Sequence, residues 1–270
     1  MTVNLASITL PMYNQGNGTW KTTAPSGGGG SNLPSGFTQI ESRNFDSATE
    51  TGWWPGGASF SVVTSPGSEA QSTSGNVGQY FFPSGYAGGE SPGSTGIDLG
   101  NSPLWISGSN ELFLRFRFRV SADWQGHPTG TNKIFYMTMS AQGGNGDPAF
   151  LSLQTDLSPW QVSMRSQGTG DVSIPTGSFL TTVGITPGTW YTVEVHLVRN
   201  TTAASTDGAY TMWINGTKTQ EDLSCSWHNT TGAVWDSVKW EPVWGGGGGT
   251  VTTDMEMQMS FIDLYVKGGV

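Results

Sequence analysis

Arg115, Arg117 and Arg119 occupy alternate positions of the run Glu111 to Ser121, and Leu112, Leu114, Phe116, Phe118 and Val120 occupy the places between them. Alternation of this kind is the period of a β-strand, so the three guanidiniums share one face and the apolar set shares the other. A row of fork-shaped donors suits carboxylates or sugar hydroxyls. On an outer sheet the same row is an ion-paired surface, and that reading weighs more. Tyr136, Gln154, Glu194 and His196 are polar members of other alternating runs; if their sheet is concave, they meet the arginines in one groove. Elimination on a uronic-acid polymer needs a cation to neutralise the sugar carboxylate and a base for the adjacent proton. Arg117, with His196 or Tyr136, fits those roles. Outward polar residues are also what any β-sandwich shows to water, so no catalytic residue is assigned. The loop 122 to 132 adds Trp124, an amphipathic ring, and His127, a polar tip, both suited to glycan contact.

Other chemistries find less support. A retaining glycosidase needs two carboxylates about 5 Å apart, whereas Glu221-Asp222 points to opposite faces and Asp254-x-Glu256 is the nearest usable spacing. The three histidines stand far apart, and no alternating-Asp calcium loop is present. No metal or cofactor is therefore expected; a calcium ion on Asp46, Asp98, Asp147 or Asp263 is the alternative. The glycine runs are not followed by Lys-Ser/Thr and a helix, which excludes a phosphate loop.

The elements that must position these residues are strands. Tyr191, Val193, Val195 and Leu197 alternate with Thr192, Glu194 and His196; Asp207-Gly208 leads into Tyr210, Met212 and Ile214; Asn215-Gly216 turns the chain again. Further runs are expected at 37–45, 58–63, 77–82, 133–140, 149–155, 160–166, 236–244 and 254–267. In the last run the apolar set changes parity near Ser260, which predicts a bulge. Trp190 before a long strand, a polar loop, Asp-Gly and a strand ending Trp213-Ile214-Asn215-Gly216 resemble the laminin-G-like, concanavalin A-like jelly-roll superfamily. Phe261 to Lys267 is similar to its closing strand. The resemblance implies an all-β, two-sheet antiparallel jelly-roll sandwich. Its members include lectins, polysaccharide lyases, glycoside hydrolases and virion proteins, so it leaves function open.

Forty glycines, twelve tryptophans and only 11% charged residues among 270 agree with many short strands joined by turns. The single cysteine, Cys225, excludes an intrachain disulfide and reads as a small buried hydrophobe. A net charge of −9 with eleven Lys and Arg argues against nucleic acid as a partner. No apolar run approaches the roughly 18 residues of a membrane span, and the N-terminus lacks the pattern of a secretory signal.

Residues 1–36 differ from the remainder, residues 37–270, which read as one jelly-roll domain. Val3, Leu5, Ile8, Leu10, Met12 and Tyr13 form an apolar strip, and Gly27 to Gly30 reads as a linker. This extended arm is expected to dock on other protein subunits. The parts combine into a non-catalytic display module on a phage or virus particle, a capsid decoration or tail-associated protein assembled in the host cytoplasm, with a weak affinity for polysaccharide or cell-surface glycan. The alternatives are a soluble carbohydrate-binding module, using Trp124, Trp227 and the arginine row, and a lyase acting on a uronic-acid polymer.

Overall fold

The computed structural model describes residues 13–14, 20–21, 31–48, 53, 56–64, 75–98, 109–139, 149–166, 180–229 and 231–267. Among the described residues there is no helix, hence none long and apolar enough to cross a membrane, and the strands form two open antiparallel sheets. The expected all-β sandwich is present.

The larger sheet is built from β3 (Thr38–Arg43), β4 (Phe60–Thr64), β5 (Asn76–Phe82), β7 (Glu111–Val120), β11 (Tyr191–Val198), β12 (Gly208–Ile214), β13 (Thr217–Cys225) and β15 (Met255–Lys267). Its order is β13-β12-β11-β7-β15-β5-β4, and β3 pairs with the far half of β15. The smaller sheet holds β6 (Thr95–Asp98), β8 (Thr131–Met139), β9 (Ala149–Gln154), β10 (Gln161–Ser166) and β14 (Trp235–Val243), in the order β10-β9-β8-β14-β6. Two-residue strands β1 (Tyr13–Asn14) and β2 (Trp20–Lys21) pair apart from both.

The core lies between the sheets. Leu112, Leu114, Phe116 and Phe118 of β7 and Val193, Val195 and Leu197 of β11 meet Phe135 and Met137 of β8, Leu151 and Leu153 of β9 and Trp240 of β14. Phe116 and Phe135 span the gap with ring centroids 4.6 Å apart, and Tyr80 and Trp240 do so at 4.7 Å. Each such side chain contributes roughly 1.5–3 kcal/mol on burial. The alternating runs become strands because only that period places every apolar member in this layer.

Where alternation breaks, a bulge stands. The pairing of β15 with β7 shifts register between Met259 and Phe261, as the parity change at Ser260 predicts. Asn215 and Gly216 both take positive φ, 49° and 79°, the geometry a tight hairpin demands and Asn-Gly supplies. Strand β6 lies outside every run expected from the sequence. It is short, and its apolar content is a single Ile97.

Of the expected arm, Val3, Leu5, Ile8, Leu10 and Met12 lie outside the described residues. Tyr13 belongs to β1, which neighbours β3 of the same chain. Residues 31–36 lie along the chain's own larger sheet: Asn32 donates from its backbone N and its Nδ2 to Glu194, the latter at 2.7 Å.

Candidate active site on the smaller sheet

The polar residues singled out by sequence do not share one surface. Arg115, Arg117, Arg119, Glu194 and His196 lie on the outer face of the larger sheet, whereas Tyr136 and Gln154 lie on the outer face of the smaller one. The whole core separates the two sets. The single groove is thus ruled out, because strands that alternate alike in sequence went to different sheets.

On the larger sheet the arginines are occupied. Arg115 Nε stands 3.4 Å from Glu194 and its Nη1 3.9 Å from Asp263, with Phe261 beneath the guanidinium. Asp263 also accepts from Ser42 at 2.7 Å and Gln39 at 3.3 Å. Burial pushes its carboxyl up to about 6, with Ser42 and Arg115 opposing the rise. Arg117 donates to Thr192, and Arg119 lies over Trp190. His196 pairs with Glu111 at 2.8 Å, and Lys267 holds the other Glu111 oxygen at 3.1 Å. Phe37 closes over this end, edge-on to Phe113 and to His196. Around Arg115, Glu194 and His196 this face is charge-matched and covered in part by the chain's own Asn32 and Phe37, and it is a structural network.

Trp124 and His127 are likewise turned inward. Trp124 is 4% exposed and packs edge-on to Phe82. His127 bridges Thr129 and the Gly248 carbonyl, with its ring against Trp244. Trp227 is fully buried against Tyr210 and Trp235. None of the three offers a ring face to a ligand.

The smaller sheet differs. Cross-strand register sets Arg165 of β10, Phe150 of β9, Tyr136 of β8 and Lys239 of β14 in one line across four strands. Tyr136, Phe150 and Val243 form a cluster separate from the main core, which marks this as the outward side. Lys133 joins them. It has the opposite parity from Tyr136 and would face inward on a regular strand. A bulge between Lys133 and Phe135 turns both Ile134 and Phe135 into the core and returns Lys133 to the outer face. Its Nζ then stands 5.3 Å from the Tyr136 ring centre and 5.2 Å from that of Phe150, while Lys239 Nζ is 5.5 Å from Tyr136. Two ammonium groups therefore flank one phenol.

Beyond this centre the face is a recessed polar floor. Ser152, Gln154 and Ser163 are buried, although they point away from the core. Arg165 donates to Gln154 Oε1 at 2.6 Å, and Gln154 Nε2 donates to Ser152 at 2.5 Å. Acidic groups sit to the other side. Thr138 bonds Asp236 and Ser237, Asp98 pairs in register with Ser237, and Glu241 lies 3.9 Å from Lys239.

Lys133, Lys239 and Arg165 were not singled out by sequence. The two lysines are solitary cations, and only pairing across strands brings them to Tyr136. No group of three or more His, Cys, Asp or Glu gathers to hold a metal among the described residues, and Asp147 lies outside them.

Residues 100–235 match the polysaccharide lyase family model. Among curated proteins none matches the sequence. Several solved structures share the fold. The PL-14 alginate lyase of the marine Aplysia kurodai superposes with a TM-score of 0.61 at 13% identity, over 85% of this chain and 99% of that one. An alginate lyase of a Chlorella virus gives 0.52 at 12% identity, over 79% and 93%. The endo-β-1,4-glucuronan lyase of the fungus Trichoderma reesei gives 0.50 at 13% identity, over 77% and 87%. These likenesses bear out the concanavalin A-like jelly roll.

The family match overturns the expectation of a non-catalytic display module. That expectation rested on the leading arm and the composition, and it took the outward polar residues for what any β-sandwich shows to water; the missing carboxylate pair spoke against a glycosidase alone. Elimination at a uronate needs cations and a proton carrier, and no carboxylate pair.

Proposed function

The chain belongs to the polysaccharide lyase family, and from that premise we propose that it cleaves a uronic-acid polymer by β-elimination on the outer face of the smaller sheet. The observation that carries this reading is the placement of Tyr136 between Lys133 and Lys239, at the centre of a line of side chains crossing four strands.

The chemistry follows from those groups. A uronate C5 proton is weakly acidic because the adjacent carboxylate resists further negative charge. An ammonium group on that carboxylate, Lys133 or Lys239, stabilises the charge that develops when the proton leaves. The Tyr136 oxygen, within the same cluster, carries the proton. The C5–H electron pair becomes the C4–C5 double bond, and the C4–O4 glycosidic bond breaks. The departing oxygen takes a proton and becomes the new chain end, and no water is consumed.

Incubation with alginate and with glucuronan tests the reading through the ultraviolet absorbance of the unsaturated product. The wild type should generate it. Tyr136→Phe should lower the rate by roughly 100-fold or more, whereas His196→Ala on the other sheet should leave it unchanged. No product from either polymer, or full activity in Tyr136→Phe, would reject the assignment.

A further inference from the structure

Away from Arg115 the outer face of the larger sheet changes character. Register carries one row of side chains across it: Arg119 of β7, Gln258 of β15, Gln79 of β5 and Ser61 of β4. Trp190 extends the row beside Arg119, since Tyr191 pairs with Phe118, and the guanidinium lies 5.5 Å from its ring centre. Phe81 stands one row along β5, opposite Glu256, and is 37% exposed between the buried Tyr80 and Phe82. An exposed ring and a half-buried one thus end a polar strip three strand spacings wide, about 14 Å at roughly 4.8 Å each. The polar groups within it are not fully spent on one another. Gln258 is 4% exposed; its Nε2 donates to Gln79 Oε1 at 2.7 Å, and its own Oε1 is buried with no hydrogen-bond partner. Arg119 Nε, next to it in register, is a buried donor equally without one. An open acceptor beside an open donor matches a hydroxyl, which both accepts and donates.

The surrounding charge selects among hydroxyl-bearing ligands. Arg119 is the one cation of the row, and beside it Glu256 also feels Asp123 and Asp254. Three carboxylates around one guanidinium disfavour a polyanion. We infer that the strip from Trp190 to Phe81 docks a neutral polysaccharide. The inference stands on the larger sheet alone and does not rest on the lyase reading. Phe81 and Trp190 offer apolar surface to the C–H groups of sugar units, and Arg119 and Gln258 between them meet hydroxyls. Because the core separates this strip from Tyr136, both faces can be occupied at once: one holds the chain on a neutral matrix while the other meets an acidic polymer.

Affinity electrophoresis of the full chain through gels containing soluble β-glucan, glucomannan or xylan tests this, with melting temperatures as a control for folding. At least one of the three should retard the wild type. Phe81→Ala and Trp190→Ala should each weaken that binding by roughly 10-fold while their activity on uronan stays at the wild-type level. Phe81 is exposed, so its variant carries the test should Trp190→Ala fail to fold. No retardation by any of the three polymers, or full retardation in a folded Phe81→Ala, would overturn the inference. So would retardation by alginate that Phe81→Ala abolishes, which would make the strip a site for acidic chains. Sedimentation covers the remaining occupant: a dimer that Phe81→Ala dissociates would assign the strip to a second copy of the chain and reject the glycan. Retardation lost in Phe81→Ala, with no unsaturated product from the wild type on uronan, would uphold the strip and discard the lyase reading.

Discussion

Glu194 faces Arg115 across the β11–β7 pair, Oε1 to Nε 3.4 Å, and both side chains are all but withdrawn from water. Removing one member of such a pair strands the other without compensation. Glu194→Ala should destabilise the fold by about 3 kcal/mol, the lower end of the usual range because Asp263 still neighbours Arg115. Denaturant titration measures this. Activity per folded molecule on uronan should be unchanged, since the core lies between this pair and Tyr136.

Asp263 makes the same network sensitive to pH. Unfolded, its carboxyl titrates near 3.8, and burial raises it to about 6 in the fold. Between those values the folded chain holds the extra proton, so stability declines as pH rises through the window and the contribution is lost above about 6. Asp263→Asn should flatten that decline, whose depth is at most about 3 kcal/mol at 1.36 kcal/mol per unit. Melting temperatures at pH 4.5 and 7.5, compared between wild type and variant, show whether the slope disappears.

Cys225 is fully buried, and its thiol is pushed up to about 12, chiefly by burial and then by Asp222. The thiolate that reacts is thus scarce in the native protein. Labelling by a disulfide reagent at pH 8 should proceed only at the rate of unfolding and become fast in denaturant. Rapid native labelling would contradict the packing around β13.

The five-glycine loop after Trp244 offers a matched pair of substitutions. Gly245 has φ of +73°, and a Cβ there would fall 1.8 Å from His127 Cγ; Gly247 has open space around it. Gly245→Ala should cost more than about 1 kcal/mol from backbone strain alone, with the steric displacement of His127 added. Gly247→Ala should be neutral within roughly 0.5 kcal/mol. Thermal melts of the two variants check the contrast.

Much of the fold was legible because alternation in β7, β11 and β12 reports directly which side chains meet the core. Asn215-Gly216 and the parity change at Ser260 announced their turn and bulge for similarly local reasons. What the sequence left hidden is which sheet each strand joins. Arg117 and Tyr136 sit on strands that follow one another in the chain, yet hydrogen bonding sends β7 and β8 to opposite layers. The arginine row drew notice because it is dense, and within it Arg115 pairs with Glu194 and Asp263, Arg117 bonds Thr192 and Arg119 lies over Trp190. Lys133, Lys239 and Arg165 drew none, being scattered over three strands. Their meeting around Tyr136 and Gln154 is a property of register, which a single sequence does not display.

The extra residue in β8 also alters how kin of this chain should be compared. With Ile134 inserted, lysine precedes tyrosine by three places; a homologue whose strand runs regularly would present the same two groups with only one residue between them. Column-by-column alignment would then score the lysine as missing, although in space it stands where Lys133 does. A search for enzymes using this pair should therefore allow a one-position gap at Ile134.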